Sequence, residues 1–128
     1  MPVTEPLGAL DDDVIAAVAD DAGEDTERLR DALERHQEHA RSLPGIEELV
    51  YDWRRSLPYD PLVHREPTAY YLVFQQSVWT EFADQLGLDE PLSTAVQSVH
   101  DRQTRRALAR AGVDVAVVDG GAAMVLGR

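Results

Sequence analysis

Residues 69–74 read AYYLVF, and this short apolar stretch decides the fold. Aromatic and branched aliphatic side chains favour β-structure. Side chains of a strand point alternately to its two faces, and because both sets are apolar here, neither face would meet solvent. The stretch therefore predicts a buried central strand. It is far shorter than the roughly 20 apolar residues that a membrane-spanning helix needs.

The segments on either side of this strand are predicted to be a loop and two helices. Residues 58–67, PYDPLVHREP, contain three prolines and predict an irregular connection. After the strand, Ser77 is expected to cap a helix over 77–86 that Gly87 ends. A longer helix follows over 92–111.

The C-terminal segment has the pattern of a β-hairpin. Residues 113–118, which are apolar except for Asp114, and the apolar residues 122–126 flank Asp119-Gly120-Gly121, a tripeptide typical of tight turns. With the central strand, these segments give a small three-stranded antiparallel sheet. The predicted fold class is therefore α+β.

The N-terminal third is predicted to be a helical hairpin. Residues 1–9 contain two prolines and a glycine and form a frayed lead. Residues 10–43 carry two helical stripes of apolar residues, the first capped by Asp11 and the second by Asp25 or Thr26. This hairpin is acidic.

Residues 46–57 fit two structures. Their apolar residues recur at helical spacing, but Leu49, Tyr51 and Trp53 also alternate as in a strand, so helix and strand both stay open. Residues 1–128 are predicted to form one domain, in which 46–128 make an α+β core that ends in the C-terminal hairpin.

Composition and charge limit the setting of the protein. The chain has no cysteine, which excludes disulfides and thiolate sites. Its N-terminus has neither the basic nor the apolar region of a signal peptide, so we expect a cytoplasmic protein. The net charge is −12, lysine is absent, and residues 1–48 hold 14 acidic residues against 4 arginines. Salt near 1 M shortens the Debye length to about 3 Å, so this composition indicates a cytoplasm at molar salt and argues neither for nor against nucleic acid.

Two longer stretches carry a family resemblance. Residues 49–74, LVYDWRRSLPYDPLVHREPTAYYLVF, are followed by residues 78–88, VWTEFADQLGL. Over roughly residues 10–112 the chain resembles a family of short haloarchaeal proteins that carry only a domain-of-unknown-function label. The resemblance assigns no chemistry and no functional residue.

All eight aromatic residues lie between positions 51 and 82, which indicates a core or a core with a binding face. We expect Tyr71, Phe74, Trp79 and Phe82 to be buried.

The principal hypothesis is a non-enzymatic interaction or regulatory module that binds a protein partner, because arginine and tryptophan are favoured where partners bind. The candidate partner-binding residues are Trp53, Arg54, Arg55, Tyr59, His64 and Arg65.

DNA binding is the first alternative. From residue 46 onward, the predicted order of helices, strand and hairpin is that of winged-helix proteins, and the long helix carries Arg102, Arg105, Arg106 and Arg110. Residues 102, 106 and 110 share one helix face and could meet phosphates, or they could pair with neighbouring acidic residues. Residues 19–29 also have the spacing of a helix-turn-helix, although their basic residues stand among carboxylates.

Enzymatic activity centred on His64, as a small hydrolase or transferase, is the second alternative. Asp60 and Glu66 supply general acid–base groups beside it, but no nucleophile motif accompanies them. His36 and His39 stand three residues apart, which does not match a helical zinc pair, and His36 falls on an apolar stripe. The sequence therefore assigns no catalytic residue, metal ligand or cofactor.

Overall fold

The computed structural model describes residues 7–42 and 45–128. The elements follow one another as α1 (Asp12–Ala22), α2 (Thr26–Arg41), α3 (Ile46–Ser56), β1 (Leu62–Glu66), β2 (Ala69–Phe74), α4 (Gln76–Leu86), α5 (Glu90–Arg110), the 3₁₀ helix η1 (Val115–Val118) and β3 (Ala122–Gly127). The strands form one antiparallel sheet in the order β1-β2-β3. The predicted α+β class with a three-stranded antiparallel sheet is confirmed.

The stretch AYYLVF is the central strand β2, as predicted. It pairs along its whole length with β3, from Ala69 opposite Gly127 to Phe74 opposite Ala122. On its other side it pairs with β1 through a short turn between Glu66 and Ala69. A register shift between Leu62 and His64 marks a β-bulge in β1.

The prediction of an irregular connection over 58–67 is wrong for its second half. Residues 62–66 form the edge strand β1, bounded by Pro61 and Pro67. Proline is tolerated at the ends of an edge strand because no ladder hydrogen bond is lost there. His64 and Arg65 therefore lie on a strand rather than on a loop.

The predicted C-terminal hairpin is not formed. Residues 115–118 are a 3₁₀ helix, and β3 pairs with β2 alone. The carboxylate of Asp114 accepts a hydrogen bond from the Ala116 amide at 3.0 Å, a local side-chain bond that turns the backbone away from a strand. Without a hairpin at this position there is no wing, and the winged-helix resemblance is not confirmed.

The helices follow the predictions more closely. Residues 46–56 are helical, which settles the choice between helix and strand. Helix α4 begins earlier than expected, with Gln75 rather than Ser77 at the N-cap position. Helix α5 begins at Glu90, and the Asp89 side chain caps it by accepting from the Leu92 amide.

Helices α1 and α2 form the predicted hairpin. Gly23 ends α1 in the left-handed conformation, which favours glycine. Leu7 is buried and Ala9 packs against the core, so the predicted fraying of the lead is wrong for its described end, residues 7–9. The rest of that lead, residues 1–6, and residues 43–44 lie outside the described residues.

The two faces of the sheet are covered by different helices. On one face, Trp53 of α3 packs edge-on against Phe74, with ring centroids 4.8 Å apart. On the other face, Leu108 of α5 and Val118 of η1 pack with Ala123. Tyr71, Phe74, Trp79 and Phe82 are all buried, which confirms the prediction made for them.

One contact between strand and turn is unusually close. A Cβ atom placed on Gly121 would collide with the Val73 side chain and lie 3.1 Å from the Phe74 carbonyl oxygen, so any larger residue there would force the strand and the turn to shift. Within the described residues, none of the helices has both the length and the hydropathy that crossing a bilayer requires.

Candidate functional site

A shallow groove of about 290 Å³ opens at the end of the sheet where β2 finishes and β1 and β3 begin. We call it the end groove. Its apolar and glycine lining is Tyr59, Val63, Val73, Phe74, Val117, Gly120 and Gly121. Three separate segments meet here because the loop after α3, the end of β2 and the turn after η1 all lie at this end of the sheet.

Two ion pairs flank the end groove. On one side Arg54 binds Asp60 through its Nε and Nη2 atoms, at 3.1 and 3.0 Å. On the other side Arg105 reaches Asp119 at 3.1 Å. The hydrogen bonds from Arg54 hold the pKa of Asp60 below its ordinary value, so this carboxylate stays charged and paired. The pairs tie the two loops to helices α3 and α5.

The end groove also exposes apolar side chains. Tyr59 is 37% exposed and Val117 is 44% exposed, and both line the groove. Exposed apolar groups that converge on one concavity are a feature of binding sites rather than of ordinary surface. The groove can therefore hold an apolar side chain, which would contact the ring of Tyr59 and the backbone of the turn at Gly120 and Gly121.

The other predicted partner-binding residues lie elsewhere. Trp53 is half-buried against Phe74 and belongs to the core. The Arg55 guanidinium stands over the exposed ring of Tyr51, 5.4 Å from its centroid. Arg65 is exposed on the edge strand β1. Of the six candidates, the structure therefore brings Tyr59 and Arg54 to the end groove.

His64 belongs to a small polar cluster on the sheet. Its Nε2 atom lies 3.1 Å from Glu66 Oε2, and its ring stacks on Tyr71. The Tyr71 hydroxyl donates to the other oxygen of Glu66 at 3.2 Å. Burial, followed by the charge of Glu66, raises the pKa of Tyr71, which favours the protonated phenol.

Each of the four arginines predicted to meet DNA faces an aspartate. Arg102 binds Asp21 at 2.8 Å, and Arg105 binds Asp101 and Asp119. Arg106 binds Asp13 at 2.8 Å and Asp11 at 2.9 Å, and hydrogen bonds to these carboxylates raise its pKa. Arg110 lies 3.8 Å from Asp11. These arginines therefore pair with neighbouring acidic residues in the structure, and three of the four pair with residues in or next to α1.

A group of polar side chains along the outer edge of β3 was not predicted from the sequence. Trp79 Nε1 donates to the Ala123 carbonyl, and His100 Nδ1 accepts from the Val125 amide at 2.9 Å. Gln37 donates to the Val125 carbonyl and accepts from the Gly127 amide. Three helices thus supply the bonds that a fourth strand would make. One sequence signal was available: His100 follows Val96 by four residues, on the buried face of α5.

His36 lies at the centre of the same region. Its ring stacks on Trp79 at 4.8 Å and contacts Phe82 and His100, both at 4.9 Å. Burial lowers its pKa to about 3, with a smaller contribution from His39. His39 itself is bonded to Gln85 at 2.7 Å. No group of three or more His, Cys, Asp or Glu side chains among the described residues could hold a metal ion.

The hydrogen bonds fix both buried histidines as neutral Nε2–H tautomers. His100 Nδ1 accepts from an amide, and His36 Nδ1 lies 3.2 Å from the Gln37 side-chain nitrogen, which can only donate. Protonation at Nδ1 would break either bond. Neither Nε2 atom has a hydrogen-bond partner among the described residues.

Comparison with known proteins gives one match. The family model described as a domain of unknown function, DUF8048, matches residues 8–128, which is nearly the whole chain. Neither the search of curated proteins nor the search of solved structures returned a match. The chain therefore belongs to the family of the domain of unknown function DUF8048.

Proposed function

We propose that this chain is a non-enzymatic interaction module that receives an apolar side chain of a partner protein in the end groove. The observation that supports this is the convergence of Tyr59 and Val117, both exposed, on one groove with an apolar floor. Exposed aromatic anchors beside fixed charged pairs are typical of interaction sites. Hydrogen-bonded pairs, Arg54–Asp60 and Arg105–Asp119, stand at its two walls.

The other two hypotheses receive less support from the geometry. DNA binding by the arginine stripe would require its guanidinium groups to leave the aspartates that they now bind. Catalysis at His64 would require a substrate cavity beside its ring, whereas His64 does not line the end groove. An interaction role needs no change in either cluster.

A salt-rich cytoplasm is part of this proposal. Fourteen aspartates, ten glutamates and twelve arginines, with no lysine, give a charge that molar salt would screen. At such salt an apolar contact keeps its strength, whereas exposed ion pairs between partners weaken. An apolar anchor site therefore suits the setting that the composition indicates.

The proposal is tested by photo-crosslinking in a lysate of the source cells at about 2 M KCl, where the Debye length is below about 3 Å. One chain carries p-benzoylphenylalanine in place of Tyr59, and a control chain carries it in place of Tyr51, which is exposed outside the groove. We expect a discrete protein adduct from position 59 only. The adduct should disappear with Val117→Asp and persist with Val115→Asp, which changes an exposed valine of η1 outside the groove lining.

Equal adducts from positions 59 and 51, or an adduct indifferent to Val117→Asp, would show that the end groove is not the binding site. Circular dichroism of each variant, recorded in the same buffer, establishes that it is folded. If Val117→Asp fails to fold, Val117→Ser replaces it, because serine removes the apolar contact without adding a charge.

A further inference from the structure

A second groove, of about 430 Å³, runs between helices α1 and α5, away from the sheet. We call it the helix groove. Its floor is apolar, because Val18 of α1 and Ala95 of α5 line it and are buried. Its rim carries small side chains, those of Ala22, Thr94 and Ser98. Small rim residues let the backbone of a partner element come close to the floor.

The charge around the helix groove is mainly negative. Asp21 and Glu90 stand on its rim, and the one cation among its described lining residues is Arg102. Arg102 is already bound to Asp21 at 2.8 Å. Glu90 has no ion pair with any described residue. It also borders a neighbouring groove that contains Asp84, so the acidic rim continues around the start of α5.

The shape and charge together indicate one kind of occupant. A channel between two packed helices, with an apolar floor, fits the apolar stripe of a third helix. A carboxylate-rich rim attracts a helix whose flanking residues are basic and disfavours one whose flanking residues are acidic. We propose that the helix groove binds a basic amphipathic helix of a partner protein. This site is separate from the end groove and does not depend on the function proposed for it.

The test uses a synthetic peptide of leucine, alanine and arginine, labelled at its N-terminus with an uncharged fluorophore and amidated at its C-terminus, whose leucines form one helical stripe. Two further peptides serve as comparisons: one has the same composition in an order that destroys the stripe, and one has glutamate in place of arginine. Circular dichroism first establishes that the chain is folded at about 0.15 M KCl, since low salt is expected to destabilise its acidic surface. Binding is measured by fluorescence anisotropy at this salt concentration, where the Debye length is about 8 Å and the rim charges act; at about 2 M KCl the preference for arginine over glutamate should disappear while the preference for the stripe remains. We expect the amphipathic basic peptide to bind at least about tenfold more tightly than either comparison, a difference of about 1.4 kcal/mol.

Matched variants locate the site. Ser98→Trp fills the helix groove, whereas Ser77→Trp places the same side chain on the exposed start of α4. Ala22→Arg adds a positive charge at the rim, whereas Ala109→Arg adds the same charge in the last turn of α5. Both groove variants should weaken peptide binding about tenfold, and both controls should leave it within about twofold.

Three results would overturn the proposal. Equal affinity for the peptide without a stripe, or equal weakening by Ala22→Arg and Ala109→Arg, would show attraction to the acidic surface in general. Concentration-dependent dimerisation that Ser98→Trp abolishes would assign the groove to a second copy of this chain. Because Ala22 is exposed on its helix, Ala22→Arg keeps the test valid if the bulkier Ser98→Trp does not fold.

Discussion

The indole Nε1 atom of Trp79 donates a hydrogen bond of 3.0 Å to the carbonyl oxygen of Ala123, and both residues are buried. The bond joins α4 to the outer edge of β3. Trp79→Phe keeps most of the ring but leaves this carbonyl without its partner. We expect the free energy of unfolding to fall by about 1–3 kcal/mol, the usual penalty for an unsatisfied buried polar group. Urea denaturation measures this change.

The control for this variant is Trp53→Phe, which changes a half-buried tryptophan that packs on Phe74. It should lose less stability than Trp79→Phe. Equal losses would mean that ring size, rather than the hydrogen bond to Ala123, determines the effect.

The two buried histidines predict how stability depends on pH. Burial holds the pKa of His36 at about 3 and the pKa of His100 well below its ordinary value of 6.5. The unfolded chain therefore takes up protons below about pH 6.5 that the folded chain does not. Stability is fully present above that pH and declines as the pH falls, by up to about 1.4 kcal/mol per pH unit for each histidine.

Urea denaturation between pH 7 and pH 4.5 measures this decline. Carboxylates with lowered pKa values, such as Asp60 and Asp89, also stabilise the folded chain. Their contribution is lost only as the pH falls below their ordinary pKa values near 4, which is mainly outside this range. His36→Phe should reduce the slope while keeping an aromatic ring against Trp79. An unchanged slope would contradict the role given to His36.

The ion pairs of Arg106 predict a local effect. Arg106 binds Asp11 and Asp13 at the start of α1, and Arg106→Gln removes both charge interactions. We expect this substitution to accelerate the hydrogen exchange of the α1 amides, relative to the unmodified chain, more than that of the β2 amides. The reason is that α1 is held to α5 partly through these bonds. Arg55→Gln is the matched control, since Arg55 stands over Tyr51 on a different helix. If the α1 amides exchange at the same rate in Arg106→Gln as in Arg55→Gln, apolar packing alone holds α1.

Salt dependence tests the interpretation of the acidic surface. Raising KCl from about 0.1 to about 2 M should raise the melting temperature, because it screens the repulsion concentrated in residues 1–48. Replacing Glu27, Asp31 and Glu34 by their amides should make the curve flatter. A melting temperature that stays level or falls with KCl in the unmodified chain would refute a high-salt adaptation.

Much of the fold could be predicted from local pattern. Strand β2 is apolar at every position, and the helices carry apolar stripes at helical spacing, so both signals lie within single segments. Strand β1 was missed because its evidence is not local. Residues 62–66 form a strand because they pair with Tyr70 and Tyr71, whereas the neighbouring prolines, taken alone, indicate a loop.

The site was less accessible to prediction for the same reason. Residues 59 and 117 come together only because two loops meet at one end of the sheet, and neither loop carries a motif. The mostly apolar segment 113–118 predicted a strand, but the side chain of its one charged residue, Asp114, stabilises a 3₁₀ turn instead. The partners of the arginines follow from the packing of α1 on α5, which helical periodicity does not reveal.

The hydrogen bonds that helix side chains make to the outer edge of β3 bear on aggregation at high protein concentration. A sheet can template a fibril only through a free strand edge. Along β3 the outward-pointing groups of Ala123, Val125 and Gly127 are engaged by helix side chains. The opposite edge, β1, is short, bulged and bounded by Pro61 and Pro67, which makes it a poor template. The same side chains that complete the core therefore also protect a crowded solution of this protein from polymerising strand by strand.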